Sequence, residues 1–301
     1  MKKIAFLTSG GDAPGMNTAL FALTLSSHRN GIIPFGILDG FQGLIEGRGN
    51  ILQQESVEEI NNRGGTFLGS ARSKDFLTQV GREKAAKFIE SEKIDALIVI
   101  GGDGTFRGAI DFNKETKIPF IAIPATIDND ISGTDYAIGF DTALNTICYC
   151  IDKIRDTAAS HHRVFLIEVM GRNSGNLAYG AKEANGAFAY LVPEEKTDLP
   201  QLVKEIKAAG HIKSKIIVVA EGEEAGSSLE ILKQIEPLLI EFELRHTVLG
   251  HLQRGGAPSF KDRWIASQMG ELAIELLLKG ETNVMIACKN EILTTVALDK
   301  F

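Results

Sequence analysis

The sequence predicts a doubly wound α/β protein with mainly parallel sheets, and three observations carry that expectation. Strand-like and helix-like segments alternate along nearly the whole chain. The strand-like ones are short and apolar on both faces, as strands covered by helices are. Several of them stop at a Gly-rich turn that opens a helix. Glycine makes up 31 of 301 residues, with Gly-Gly pairs at 10–11, 64–65, 101–102 and 255–256.

In chain order, residues 4–8 form a first strand, closed by Ser9-Gly10-Gly11-Asp12-Ala13-Pro14-Gly15, and 16–29 reads as a helix. Residues 94–100, apolar apart from Asp95, form a run that ends at Gly101-Gly102-Asp103-Gly104, with a helix starting at Thr105. Residues 120–124 are a further strand, leading into Thr126-Ile127-Asp128-Asn129-Asp130. Ala143, Ile147, Ile151 and Ile154 recur at helical spacing, before strands at 164–169 and 215–220. Residues 229–244 read as helical, kinked or divided at Pro237, and 264–278 as a strongly apolar helix.

Composition excludes several function classes. Lys plus Arg number 32 against 39 acids, a net charge of −7, which is the wrong sign for a nucleic-acid footprint. No apolar run approaches the roughly 18 residues of a membrane span. The apolar part of residues 1–7 is too short for a signal peptide, so a cytoplasmic protein is expected. Cys148, Cys150 and Cys288 lack Cys-x-x-Cys spacing and predict neither a disulfide framework nor a zinc site. On a helix Cys148 and Cys150 point apart and read as core filling; His161 and His162 read as helix-end residues.

The chemistry-bearing clusters follow predicted strands, at the edge where open parallel sheets take ligands. Glycines at 101, 102 and 104 let an anion approach the backbone, and the helix that follows supplies N–H donors. Asp103 would repel a phosphate unless Mg²⁺ bridges the two. Ser9-Gly10-Gly11-Asp12 offers a second wall. Asp128 and Asp130, two apart beyond a strand, would face the same way in extended backbone, one accepting a hydroxyl proton. The bland alternative is an Asx-rich turn. Arg72, Arg163, Arg172, Arg245 and Arg254, with His251 near the last, suit a phosphorylated substrate if they converge. Together these groups suggest phosphoryl transfer.

At this point the sequence resembles the bacterial-type 6-phosphofructokinase family. The matching stretches are LTSGGDAPGMN (7–17), NRGGTFLGSAR (62–72), IDALIVIGGDGT (94–105), TIDND (126–130), GTDYAIGFDTA (133–143), RDTAASHHR (155–163), EVMGR (168–172) and TVLGHLQRGG (247–256). The resemblance implies transfer of the ATP γ-phosphate to the 1-hydroxyl of fructose 6-phosphate with Mg²⁺. It implies two similar doubly wound α/β domains of the phosphofructokinase type, a nucleotide domain of residues 1–139 plus 252–301 and a sugar-phosphate domain of 140–251, with the active site between them.

By motif, Asp128 resembles the general base and Arg172 a stabiliser of the transferring phosphoryl group, with Thr126 nearby. Asp103 resembles the metal-linked carboxylate. Gly11, Arg72, Ser73, Gly102, Asp103, Gly104 and Thr105 correspond to the nucleotide site. Thr126, Ile127, Asp128, Met170, Gly171, Arg172, Glu221, His251, Leu252, Gln253 and Arg254 correspond to sugar-phosphate contacts. Arg163 and Arg245 match arginines lent across a subunit interface, which implies a homo-oligomer, dimer or tetramer, with a shared active site.

Departures from the family pattern carry expectations too. The pyrophosphate-using branch usually has Asp at the position of Gly104 and Lys at that of Ala125, so ATP is favoured here. Regulated members carry cations and an acid where this chain has Phe21, Leu25, Gln54 and Phe188, leaving Arg155 and Lys213 or Lys215 as remnants. A degraded effector site follows. Arg107 either reaches a phosphate or lies on the surface. Of the rivals, a pyrophosphate-dependent enzyme would share the sugar site, a lipid or dinucleotide kinase would not need Thr126–Asp130, and a non-catalytic sensor would be expected to lose Asp103 or Asp128.

Overall fold

The computed structural model describes residues 1–161, 163–210 and 214–298. His162 and Lys213, both singled out above, lie outside the described residues. In chain order the strands are β1 (Lys3–Ser9), β2 (Ile33–Ile37), β3 (Gly49–Ile51), β4 (Ala96–Gly101), β5 (Phe120–Pro124), β6 (Val164–Val169), β7 (Ala189–Leu191), β8 (Lys215–Ala220), β9 (Leu244–Val248), β10 (Val284–Lys289) and β11 (Ile292–Ala297). The helices are α1 (Met16–Arg29), α2 (Gly40–Glu46), α3 (Gln54–Glu58), α4 (Gln79–Glu92), α5 (Asp103–Thr116), α6 (Phe140–His161), α7 (Asn176–Asn185), α8 (Leu199–Ala208), α9 (Ser228–Ile235) and α10 (Phe260–Lys279).

The chain divides into two compact units. The first comprises Met1–Ile127, Ile131–Asp141 and Arg254–Phe301, and the second Asp128–Asp130 with Thr142–Gln253. Asp128–Asp130 thus groups with the second unit, whereas a division into 1–139 plus 252–301 and 140–251 leaves it in the first.

The first unit is built on a sheet of order β11-β10-β5-β4-β1-β2-β3. Strands β10, β5, β4, β1 and β2 run parallel, and the two edge strands β3 and β11 are antiparallel. Every residue of β4, Ala-Leu-Ile-Val-Ile-Gly, is buried, which is why its sequence is apolar without alternation. Helix aromatics complete the core: Phe41 stacks on Phe76 at 4.1 Å between centroids, and Phe76 meets Phe112 at 5.6 Å. Each such buried ring contributes roughly 1.5–3 kcal/mol through removal from water. Ser259 caps α10 by accepting from Asp262 N at 3.2 Å.

The second unit carries a wholly parallel sheet of order β7-β8-β6-β9. Val164, Leu166, Ile217 and Val219 pack there with Ile206 and Leu202 of α8 and Ile231 and Ile235 of α9. Ser227 and Glu230 form a capping box at the start of α9.

Three expectations need correction. The segment 229–244 is not one helix: α9 ends at Ile235, Pro237 sits in a short 3₁₀ turn at Glu236–Leu238, and β9 begins at Leu244. Proline removes an N–H donor and stops the helix. Residues 126–130 are a turn rather than an extended strand, with Asn129 at φ 49°, so Asp128 and Asp130 do not share one extended face. Cys148 and Cys150 are half-buried on α6 rather than core residues, and Asn185 Nδ2 approaches Cys148 Sγ at 3.0 Å. Among the described residues no helix is long and apolar enough to cross a membrane.

Candidate active site

In the first unit the carboxyl ends of β1, β4 and β5 are level, because Ser9 pairs with Gly101 and Gly101 with Pro124. From β1 and β4 the sheet is extended in opposite directions, to β2 and to β5. The Gly-rich loops after β1 and β4 therefore flank a topological switch point, where open α/β sheets bind ligands. A Cβ at Gly101 would collide with Ser9 O and with Thr105 Oγ1. Thr105 itself is buried and donates to Ser9 O at 3.0 Å. Its hydroxyl ties α5 to β1, and its backbone N–H donates to Gly102 O at 2.9 Å, so both groups are spent on the loop itself.

Gly104 has opposite surroundings. A Cβ there would meet no atom within 4 Å, so the glycine faces open space at the N-terminus of α5. Asp103 opens the same helix, and Arg107 Nη2 meets its Oδ2 at 2.9 Å across one exposed turn. The arginine thus sits on the surface, paired with the carboxylate that the family likeness links to a metal. Thr126 faces the loop: a Cβ on Gly102 would stand 4.0 Å from Thr126 Cβ. Arg254 also belongs to this unit. Its Nη1 donates to Asp12 O at 2.9 Å, and its guanidinium lies where a Cβ on Gly11 would go.

Several sequence-selected residues contribute backbone rather than side chain. Ile127 is fully buried in the core. Ser73 Oγ donates to Gln42 Oε1 at 2.6 Å and accepts from Phe76 N at 3.2 Å, which ties down the loop in which Arg72 stays exposed.

In the second unit the carboxyl ends of β6, β8 and β9 form a second level edge, with Val169 paired to Ala220 and Glu168 to Val248. Met170, Gly171 and Arg172 follow β6; Glu221 and Gly222 follow β8; Leu249 to Gln253 follow β9. Gln253 is fully buried and organises this edge, accepting from Met170 N at 3.1 Å and donating to Gly250 O at 2.9 Å. Arg172, Glu221, His251 and Leu252 are exposed around it.

Gly171, at φ 122°, gives the turn a backbone that a side chain would strain. At Gly222 a Cβ would collide with the carbonyl oxygen of Arg172. Gly222→Ala is therefore expected to displace the Arg172 loop and to lower the melting temperature, costing about 1–3 kcal/mol. An unchanged melting curve would show that this loop yields freely.

The Asp128 turn docks on the same unit. Ser174 Oγ donates to Asp128 O at 3.0 Å, and Asn176 Nδ2 donates to Asp128 O at 3.2 Å and to Asn129 O at 2.9 Å. Neither Ser174 nor Asn176 was singled out in the sequence. The only signal was a run of small polar residues opening a helix, which ordinary capping explains equally well.

Arg163 and Arg245 are not with the other residues of their unit. Arg163 precedes β6 and Arg245 is the second residue of β9, so both lie at the amino edge of the sheet. Met170, Glu221 and His251 lie at the carboxyl edge. Six residues of β6 at about 3.3 Å each separate the two groups by roughly 20 Å. Glu243 bridges the two arginines at their edge, and reading 229–244 as a helix hid it.

The phosphofructokinase family profile matches residues 3–277. The chain belongs to the phosphofructokinase family. Over 303 residues it is 47% identical to an ATP-dependent 6-phosphofructokinase of Oceanobacillus iheyensis, covering 100% of this chain and 93% of the relative. To ATP-dependent 6-phosphofructokinase 1 of Thermus thermophilus it is 49% identical over 289 residues, 95% of this chain and 89% of the relative. Phosphofructokinase of Saccharomyces cerevisiae superposes with a TM-score of 0.91 at 34% identity, over 99% of this chain. This chain spans 45% of that yeast chain. The α/β architecture of mainly parallel sheets is thus that of phosphofructokinases.

Proposed function

We propose that this phosphofructokinase transfers the γ-phosphoryl group of ATP to the 1-hydroxyl of fructose 6-phosphate, giving fructose 1,6-bisphosphate in glycolysis. The observation that carries this reading is the open space over Gly104 at the N-terminus of α5. A nucleotide needs that space for its phosphates, and a carboxylate at this position would repel them. Ala125, which the pyrophosphate-using branch replaces with Lys, is buried, and its N–H donates to Gly101 O at 2.9 Å.

In this reading the loops after β1 and β4 hold the ATP phosphates, with Gly11, Arg72, Gly102 and the backbone of Gly104 around them and Thr105 fixing the loop from beneath. Asp103 suits Mg²⁺ as a single exposed carboxylate, because that ion keeps phosphate and water oxygens for the rest of its shell. Bound there, Mg²⁺ would neutralise charge on the transferring group. Arg107 would have to release Asp103 first, an exposed i,i+4 pair of small cost. Asp128 accepts the proton of the attacking hydroxyl, and Arg172 stabilises charge on the phosphoryl oxygens. Met170, Gly171, Glu221, His251, Leu252 and Arg254 orient the sugar phosphate, and Gln253 fixes the backbone at Met170 and Gly250.

Arg163 and Arg245, about 20 Å from that edge, serve the sugar phosphate in a neighbouring chain's site. A homo-oligomer with shared active sites follows. Arg163→Ala and Arg245→Ala are each expected to raise the fructose 6-phosphate half-saturation on the order of 10- to 100-fold. Mixed oligomers with Asp128→Asn chains should regain activity, since one chain type supplies the arginine and the other the base. No recovery on mixing would place all these residues in one chain's site.

The effector reading also gains support. Phe21 and Leu25 are half-buried on α1, and Phe188 packs against the second unit's core. Lys215, a remnant cation, is buried in that unit, where it donates to Gly210 O at 2.6 Å and lies 4.7 Å over the Phe242 ring. Burial also lowers its pKa, so it is no surface phosphate ligand. Arg155 Nη2 donates to Asn185 O at 2.5 Å. Millimolar ADP or phosphoenolpyruvate is therefore expected to leave the fructose 6-phosphate half-saturation unchanged. A several-fold shift would restore the effector site.

The reading as a whole is tested by an aldolase-coupled assay with fructose 6-phosphate and Mg²⁺, comparing ATP with pyrophosphate. Turnover with ATP alone supports it. Turnover with pyrophosphate would mean that Gly104 and Ala125 do not choose the donor.

A further inference from the structure

At the amino edge of the second unit's sheet one carboxylate holds two arginines. Arg163 Nε donates to Glu243 Oε2 at 2.7 Å, and Arg245 Nη2 donates to the other oxygen, Oε1. The backbone builds this cluster. Val164 N donates to Glu243 O at 3.0 Å, which sets the residue before β6 beside Glu243. Glu243, just before β9, and Arg245, the second residue of β9, are two apart, and Arg163 and Arg245 both meet Glu243.

Each oxygen of a single anion thus takes one guanidinium group. A phosphate monoester would adopt the same arrangement between the same two side chains. The trio carries a net positive charge and is open to water, with side-chain exposures of 23% for Arg163, 39% for Glu243 and 53% for Arg245. The hydrogen bond from Arg163, then the nearby charges of Arg163, Arg245 and His161, hold the Glu243 carboxyl below its usual range. It is an anion wherever the enzyme would work.

We propose that Glu243 is an internal stand-in for the substrate phosphate, pairing Arg163 with Arg245 in the unliganded chain and yielding them when a phosphate monoester binds. The proposal rests on the reading of these arginines as sugar-phosphate ligands. Two physical points favour release over permanent pairing. Exposed ion pairs are weak in water, so the exchange costs little. A phosphate monoester carries about −1.5 to −2 charges at neutral pH against the single charge of the carboxylate, and so outcompetes it.

The test is calorimetric titration of inorganic phosphate into the full chain and into its Glu243→Gln variant, with steady-state kinetics alongside. Glutamine keeps the shape and removes the charge. Phosphate is expected to bind about two- to fivefold more tightly to the variant, the gain from removing one exposed competing charge. The fructose 6-phosphate half-saturation should fall by a similar factor, with kcat and the ATP half-saturation unchanged. Equal or weaker phosphate binding overturns the proposal, because a residue that merely ordered the arginines would weaken binding when removed. Glu243→Asp, too short to span both guanidinium groups, is expected to fall between the two and serves if the Gln variant does not fold. Failure of the underlying reading looks different. Arg163→Ala and Arg245→Ala would then leave the fructose 6-phosphate half-saturation unchanged, whereas weakened arginine variants with an unaltered Glu243→Gln overturn only the stand-in role.

Discussion

Replacing Asp128 by Asn is expected to lower kcat about 10²- to 10⁴-fold, the usual share of a general base, while leaving fructose 6-phosphate half-saturation largely intact. The substitution keeps the size of the side chain and the backbone contacts of the turn. Asn and Asp have the same shape, and the turn is held by its backbone: Ser174 Oγ and Asn176 Nδ2 both donate to Asp128 O, at 3.0 and 3.2 Å. Neither contact involves the carboxylate. The left-handed conformation falls on Asn129, which tolerates it, and the substitution leaves that residue alone. In the proposed site the sugar phosphate would keep its arginines and its other contacts. The measurement is steady-state kinetics of the variant beside the wild type. A fully active Asp128→Asn would remove the proposed role.

Gly104→Asp is expected to reduce kcat/KM for ATP on the order of 10²- to 10³-fold without harming the fold. Like charges set against each other in a binding site cost several kcal/mol, and each 1.36 kcal/mol is tenfold in rate. Stability should hold for two reasons. The new Cβ would meet no atom within 4 Å. An acid in the first turn of α5 also complements the helix dipole, by about 0.3–1 kcal/mol. A melting curve and ATP kinetics on one preparation separate these effects. Loss of ATP turnover with an unchanged melting temperature supports the donor reading. Unchanged ATP kinetics would mean that the phosphates do not pass over Gly104.

The sheet strands were legible because burial on both faces leaves continuous apolar runs, as in β4, β5, β6 and β8. The edge strands were not, and the largely buried inner strands β2 and β10 went unread as well. β3 has three residues and β11 is largely exposed, so neither writes an apolar run into the sequence. β9 was not read as a strand because its burial is patchy and Arg245, His246 and Thr247 within it are charged or polar. The glycines at 101 and 104 look alike in sequence yet do opposite things. One is excluded from carrying a side chain by Ser9 and Thr105, and the other borders open space.

The sequence by itself determined the alternating α/β order, the Gly-rich loops after β1 and β4, and the family, because these depend on local pattern and on motifs read along the chain. Tertiary structure alone decided which side chains are available to a ligand. It committed Thr105, Ser73 and Gln253 to the scaffold, buried Lys215, and set Arg163 and Arg245 at the sheet edge opposite Met170 and His251. The physical reason is that a hydroxyl, amide or guanidinium finds its partner through register and packing between segments far apart in sequence. Glu243 and Arg163 are 80 residues apart and meet only because β6 and β9 lie side by side.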